Sequence, residues 1–269
     1  MTDHPFDQAV RLQPQADGSF AGHTSPAYAN MVGPFGGIMA AQALNAVMQH
    51  PDRLGEPVSF TVNFCAAMAD GAFAVQARPA RTNRSTQHWL IEIAQEGKTV
   101  LTASAVTALR REVWSRDEIP LPAVSVASAL PQMDNRAPME WVRRYEMRPV
   151  VGAMPTVWDG SDLGSSQSQL WVRDAPSRPL DFCSLTALAD VFFPRIYVRR
   201  PMRVPIGTVS MTVYFHADGK QLSQTGSGYL LGQARAQAFR NGFFDQTAQM
   251  WNEAGELLAT SHQIVYYKE

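Results

Sequence analysis

Cysteine is nearly absent: only Cys65 and Cys183 occur, each inside an apolar run and neither at metal-ligand spacing from another cysteine or histidine. That leaves no disulfide framework and no zinc ribbon, and two buried reduced thiols are expected. Charge is also sparse, at 17% of residues with a formal net charge of −1. With no basic excess, neither nucleic acid nor an anionic membrane surface is expected as a partner, and any bound anion must be held by local charge. No apolar run approaches the length that spans a bilayer, and the opening stretch "MTDHPFDQAVRLQPQADGSF" has no basic segment followed by an apolar one. A cytoplasmic protein without membrane attachment is the expectation. Nucleophile motifs are missing too: there is no G-x-S-x-G elbow and no Ser–His–Asp order. His88 and His216 stand apart from other ligand types, so neither a metal nor a cofactor is expected, and "GSG" at 226–228 lacks the length and following lysine of a phosphate loop.

What the chain does contain is a repeat. "VSFTVNFCA" at 58–66 returns as "VSMTVYFHA" at 209–217, with six of nine positions identical at a separation of 151 residues. An apolar helix is expected before each copy, in "FGGIMAAQALNAVMQH" and "PLDFCSLTALADVFF". Three segments of strand character follow each copy: "GAFAVQARP", "STQHWLIEIAQ" and "KTVLTASAVTAL" in the first half, "YLLGQARAQAF", "GFFDQTAQMW" and "ELLATSHQIVYY" in the second. A further strand is expected before each helix. Four prolines and no sustained periodicity mark a linker over 112–140, between units at 1–111 and 141–269. A second irregular stretch, 152–178, is expected to hold one strand around Trp171. Trp89, Trp251, Tyr266 and Tyr267 read as core or oligomer contacts.

Strand alternation puts Val209, Met211, Val213 and Phe215 on one face and Thr208, Ser210, Thr212 and Tyr214 on the other. A long antiparallel sheet with one apolar face, and one apolar helix per half, is satisfied when the sheet curls around the helices. The fold class expected is α+β: two tandem units, each a helix wrapped by a curved antiparallel sheet.

Four stretches also resemble the acyl-CoA thioesterase II family on the double-hotdog fold: "FGGIMAAQAL" (35–44), "LADVFF" (188–193), "GTVSMTVYFH" (207–216) and "LLATSHQ" (257–263). The resemblance covers both halves but not the linker or 152–178. It implies hydrolysis of an acyl-CoA thioester by a water held between an Asp, a Thr and a Gln, which fall here on Asp190, Thr208 and Gln263. The repeat offers a control that does not use the family. Thr208 corresponds to Pro57 and Gln263, through "VLTAS" against "LLATS", to Val106, while Asp190 falls near Gln42. None is a chemical equivalent, so one site per chain is expected, built from second-half residues.

An acid in "TALADVFF" is informative, because an unpaired buried carboxylate is costly. Asp190 is the candidate base, with Thr208 and Gln263 orienting the water. Gly37, in "PFGG" at the start of the first helix, is a candidate oxyanion donor through its backbone N–H, although a tight turn into a buried helix explains the glycines as well. In "RIYVRRPMR", Arg195, Arg199, Arg200 and Arg203 could meet the phosphates of coenzyme A or form a solvated basic loop. A homo-oligomer is expected from exposed sheet edges. The alternative function is a non-catalytic acyl-CoA or fatty-acyl binding protein on the same fold. A hydratase is disfavoured because no histidine closely follows Asp190.

Overall fold

The computed structural model describes residues 4–134 and 139–269; residues 135–138, inside the expected linker, lie outside the described residues, as do 1–3. The first half contains helix α1 (Pro5–Ala9), strands β1 (Gln13–Pro14) and β2 (Phe20–His23), helix α2 (Gly36–Met48), and strands β3 (Glu56–Phe64), β4 (Ala72–Thr82), β5 (Thr86–Gln95) and β6 (Lys98–Ala108). The second contains β7 (Tyr145–Val151), β8 (Ser168–Asp174), helices α3 (Phe182–Leu188) and α4 (Arg195–Arg199), β9 (Ile206–Phe215), helix α5 (Gly219–Thr225), β10 (Leu230–Arg235), β11 (Phe239–Arg240), β12 (Phe243–Asn252) and β13 (Leu257–Tyr267).

These strands form one antiparallel sheet in the order β1-β2-β4-β5-β6-β3-β9-β13-β12-β10-β8-β7, with β11 beside β12. The order is a mirror image about its middle, where the two copies of the repeated strand, β3 and β9, pair antiparallel. Thr61 lies opposite Thr212 in that ladder. These are equivalent positions of the repeat, and their hydroxyls meet at 3.0 Å. A local twofold axis therefore passes between them. The strand is written twice because it pairs with itself.

Each half wraps its helix. α2 is buried nearly all round, including Ile38, Met39, Leu44 and Val47, as expected of a helix with no polar face to give to solvent. Its N-terminal turn packs on α3 so closely that a Cβ on Gly37 would lie 2.7 Å from the Ala187 carbonyl oxygen. Across the seam, Arg110 donates through Nη2 to the carbonyls of Pro57, Phe215 and Ala217 at 2.7, 3.0 and 3.2 Å.

The start of the linker runs over the outer face of the second half. Trp251 Nε1 donates to the Ile119 carbonyl at 3.2 Å and Trp171 Nε1 to that of Ser125 at 2.8 Å. Both indoles flank Leu231 in one cross-strand row. Trp251 thus anchors the connecting segment. Buried indoles need an acceptor, and the periodicity-free linker supplies carbonyls not tied up in a ladder.

Two local features differ from expectation. α5 is a helix where only a connection between strands was foreseen; Asp218 and Gln221 close a capping box on its first turn, a spacing readable in "DGKQ". In β9 the register shifts: Ile264 pairs with Ser210 but Val265 pairs with Thr208, so Val209 is an extra residue in a bulge. Val209 is consequently 37% exposed rather than part of the apolar face.

Candidate active site

α3 opens at Asp181, whose carboxylate accepts from the Ser184 N–H at 2.7 Å, and closes at Leu188 with Ala189 as its C-cap. Asp190 was expected on this helix but occupies the turn just after it, where its N–H bonds back to the Ala187 carbonyl at 3.1 Å, and Pro194 then caps α4. The placement matters electrostatically. A carboxylate is disfavoured by the negative end of α3 behind it and favoured by the N-terminus of α2 in front of it.

That second helix end supplies specific help. The Gly37 N–H faces the Asp190 carboxylate and lowers its pKa, and Gln263 Nε2 donates to Oδ1 at 2.9 Å. Gln263 also reaches the Ala189 carbonyl and the Met211 sulfur, each at 3.4 Å. Burial outweighs both donors. The residue keeps part of its surface open, but its carboxyl group is enclosed enough for desolvation to raise the pKa from 3.8 to about 7. The glycine pair makes this approach feasible: a Cβ on Gly36 would stand 2.8 Å from Asp190 Oδ2. Gly36 is a site residue that the sequence reading missed, although the double glycine of "PFGG" was its signal.

Gln263 is buried, on the inward face of β13 opposite Met211. Its equivalent in the first half is Ala105 rather than Val106. Gln263 pairs with Met211, the repeat partner of Met211 is Phe60, and Phe60 pairs with Ala105. The one-residue slip comes from the turn between the last two strands, and an alanine still leaves no counterpart amide.

Thr208 was expected on the polar face. The bulge at Val209 turns it back, so it stands opposite the buried Val265, on the face that carries Gln263 and Met211. Thr208 is part-buried, and its hydroxyl has no hydrogen-bond partner among the described residues.

The arginine run divides. Arg195 was a candidate phosphate ligand, but it is 0% exposed. It donates to the Phe193, Ser166 and Ala234 carbonyls and to Ser168 Oγ, and burial lowers its pKa to about 9. Its guanidinium stitches α4 to β8 and β10 and cannot meet a ligand. Arg195→Ala is therefore expected to destabilise the fold by about 3 kcal/mol, because buried carbonyls lose a charged donor. Thermal unfolding would show this. Arg199 pairs with Asp162 at 2.7 Å and Arg200 with Glu269 at 2.8 Å. Arg203 lies over the Trp158 ring, 5.0 Å from its centroid. An open cleft of about 440 Å³ is lined by Ser165, Gln167, Arg199, Arg235 and Gln237. Among the described residues no group of histidine, cysteine and carboxylate side chains could hold a metal ion, and no helix is long and apolar enough to cross a membrane.

A solved structure from Alicyclobacillus acidocaldarius, a conserved protein of unknown function with a hot dog fold, is 44% identical, covers 100% of this chain and 99% of its own, and superposes with a TM-score of 0.94. A putative thioesterase II from Thermobifida fusca matches at 18% identity, 100% and 99% coverage, and a TM-score of 0.86. The acyl-CoA thioesterase II TesB2 of Mycobacterium marinum matches at 15% identity, 98% coverage of both chains, and a TM-score of 0.76. At these lower identities the likeness speaks to fold. No curated protein sequence matches. The molecule is a double hotdog. Two family profiles match its sequence, the acyl-CoA thioesterase N-terminal domain over residues 25–108 and the C-terminal domain over 122–267. The chain belongs to the acyl-CoA thioesterase family these profiles describe.

Proposed function

We propose that this chain hydrolyses an acyl-CoA thioester to the free acid and coenzyme A, with water activated by Asp190. The observation that carries the reading is the Gln263 amide held 2.9 Å from a desolvated Asp190 carboxyl whose pKa is raised to about 7. A carboxylate near 3.8 would be too weak a base. One near 7 is partly ionised at neutral pH and accepts a proton far more readily. The water oxygen attacks the thioester carbonyl carbon while Asp190 takes a water proton. The tetrahedral oxyanion then collapses, the carbon–sulfur bond breaks, and the thiolate leaves.

Gln263 directs its amide hydrogens at Asp190 and at Ala189 and Met211, so its carbonyl oxygen is the group that accepts from the water. Thr208, on the same face, supplies a second hydroxyl contact to that water. In this reading the oxyanion is met by the first turn of α2. Gly37 supports the carboxylate, so the Gly36 N–H of the same turn is the proposed oxyanion donor. Arg199, with Arg235 in the same cleft, is the proposed contact for the coenzyme A phosphates, and Arg200 and Arg203 lie on the adjoining segment.

The test is release of free thiol from a panel running from acetyl- to palmitoyl-CoA plus one aromatic thioester. Turnover on some members is expected, and Gln263→Ala should lower kcat by about 10²-fold through loss of positioning. No turnover on any member, with one acyl-CoA still raising the melting temperature, would replace hydrolysis by binding.

A further inference from the structure

Among the described residues, buried polar atoms without a hydrogen-bond partner are not spread evenly. Five of them, Tyr28 Oη, Tyr145 Oη, Asp174 Oδ1, and Nε and Nη1 of Arg178, gather in one place between β7, β8 and α3. Elsewhere among the described residues they occur singly, at Gln42 Oε1, Arg110 Nε and Ser261 Oγ. Tyr145 and Asp174 are directly opposite each other in the β7–β8 ladder, and the Tyr28 and Tyr145 rings meet edge-on with centroids 6.3 Å apart. Both tyrosines are 0% exposed and Asp174 is 4% exposed. Leaving such atoms dry costs on the order of 1–3 kcal/mol each.

The chemistry of the set selects its occupant. Two hydroxyls and an arginine offer donors, and one carboxylate oxygen offers an acceptor. Arg178 already pairs with Asp7 at 2.8 Å and Asp181 at 2.7 Å, with Asp174 3.9 Å away. Three carboxylates around one guanidinium repel a further anion. Water, which donates and accepts, fits.

The same cluster touches both helices that meet at Asp190, α3 at the opposite end from Asp190 and α2 at its N-cap. Asp174 Oδ2 accepts from Ser184 Oγ at 2.5 Å and so holds the first turn of α3, the helix that ends just before Asp190. Tyr145 packs edge-on against Phe35, 6.1 Å between centroids, and Phe35 is the N-cap of α2, whose first turn offers Gly37 to the carboxylate. We propose that Tyr28, Tyr145, Asp174 and Arg178 enclose a buried water site, and that through it Tyr145 and Asp174 act as positioning residues for Asp190. The consequence for catalysis rests on the reading of Asp190 as the base; the water site itself does not.

Asp174 is faced by Ser184 and Asp181 of α3, Arg178 from the segment before it, Asp7 of α1, Tyr145 of β7, and Tyr28, beside which Arg144 also lies. Asp190 is faced by Gln263 of β13 and Gly37 of α2, and its charge is felt at Tyr145. A crystal structure of the wild type at atomic resolution is expected to show ordered water bonded to at least two of Tyr28 Oη, Tyr145 Oη and Asp174 Oδ1. A dry cluster whose atoms pair with one another would overturn the site.

The positioning role is read without any substrate, from the pH titration of the Gly37 amide by NMR, which reports the ionisation of Asp190. In Tyr145→Phe and Asp174→Asn the midpoint should fall by about one unit as the loosened housing admits water to the carboxyl. Asp7→Asn, altering a half-exposed member of the same cluster, should leave the midpoint in place. Lower melting temperatures with unmoved midpoints in both test variants would reduce the cluster to a structural part. Should Asp174→Asn fail to fold, Tyr145→Phe and the wild-type hydration decide the matter.

Discussion

Asp190→Asn is expected to lower kcat for thioester hydrolysis by at least about 10²-fold, the lower end of what a positioned general base contributes, while leaving the protein folded. Asparagine keeps the shape and can still accept from Gln263, but it takes no proton from water. In the wild type, kcat/KM should rise with pH through about 7, where the carboxyl ionises.

The same group predicts an opposite slope in stability. Its folded pKa lies above the ordinary 3.8, so between about pH 4 and 7 the folded state binds more protons than the unfolded one. Asp190 therefore contributes stability that is fully present below about pH 4 and is lost as pH rises through 7. A shift of this size is worth about 4 kcal/mol at full effect. Asp174, raised to about 6 by burial, acts in the same direction over a narrower window. In Asp190→Asn the larger component should vanish, so that the variant melts no lower than wild type at pH 8. Unchanged turnover in Asp190→Asn would remove the residue from the chemistry. A melting temperature well below wild type at pH 8 would show that the carboxylate is satisfied by partners that geometry does not reveal.

Much of this arrangement could be read from residues, and the part that could not has a common cause. The duplication was legible because six of nine side chains at 58–66 and 209–217 are identical, among them the inward pairs Val62/Val213 and Phe64/Phe215. Asp190 stood out as a candidate because an acid among alanine, valine and phenylalanine has no cheap structural reason to be there. Strand periodicity failed at Thr208, since a bulge adds one residue to one strand and inverts the face of everything beyond it. It slipped by one at Gln263 for the same kind of reason, a turn of different length. Arg195 was legible as a charge, but only three-dimensional packing assigns that charge to the carbonyls of Phe193, Ser166 and Ala234. Sequence states which chemistry is present, whereas register decides what it faces.

The glycine pair at the start of α2 separates activity from stability. Neither Gly36 nor Gly37 has a positive φ, so what each substitution meets is purely a matter of space. An added methyl at Gly37 meets the Phe35 ring at 2.5 Å and the Ala187 carbonyl at 2.7 Å. The ring can shift, but the carbonyl belongs to the backbone of α3. Gly37→Ala should therefore force the two helices apart and cost about 1–3 kcal/mol. An added methyl at Gly36 meets the Asp190 carboxylate at 2.8 Å and otherwise only the Phe64 ring at an easy 3.4 Å. Alanine is also the better helix former, which offsets part of the strain. Gly36→Ala is expected to melt within a few degrees of wild type, yet to lose roughly 10²-fold in kcat because the base is pushed off its mark. Thermal melts and single-substrate kinetics on the two variants give the answer. Full activity in Gly36→Ala would mean that Asp190 has room to move without consequence, which is incompatible with a base held in place by Gln263 and the first turn of α2.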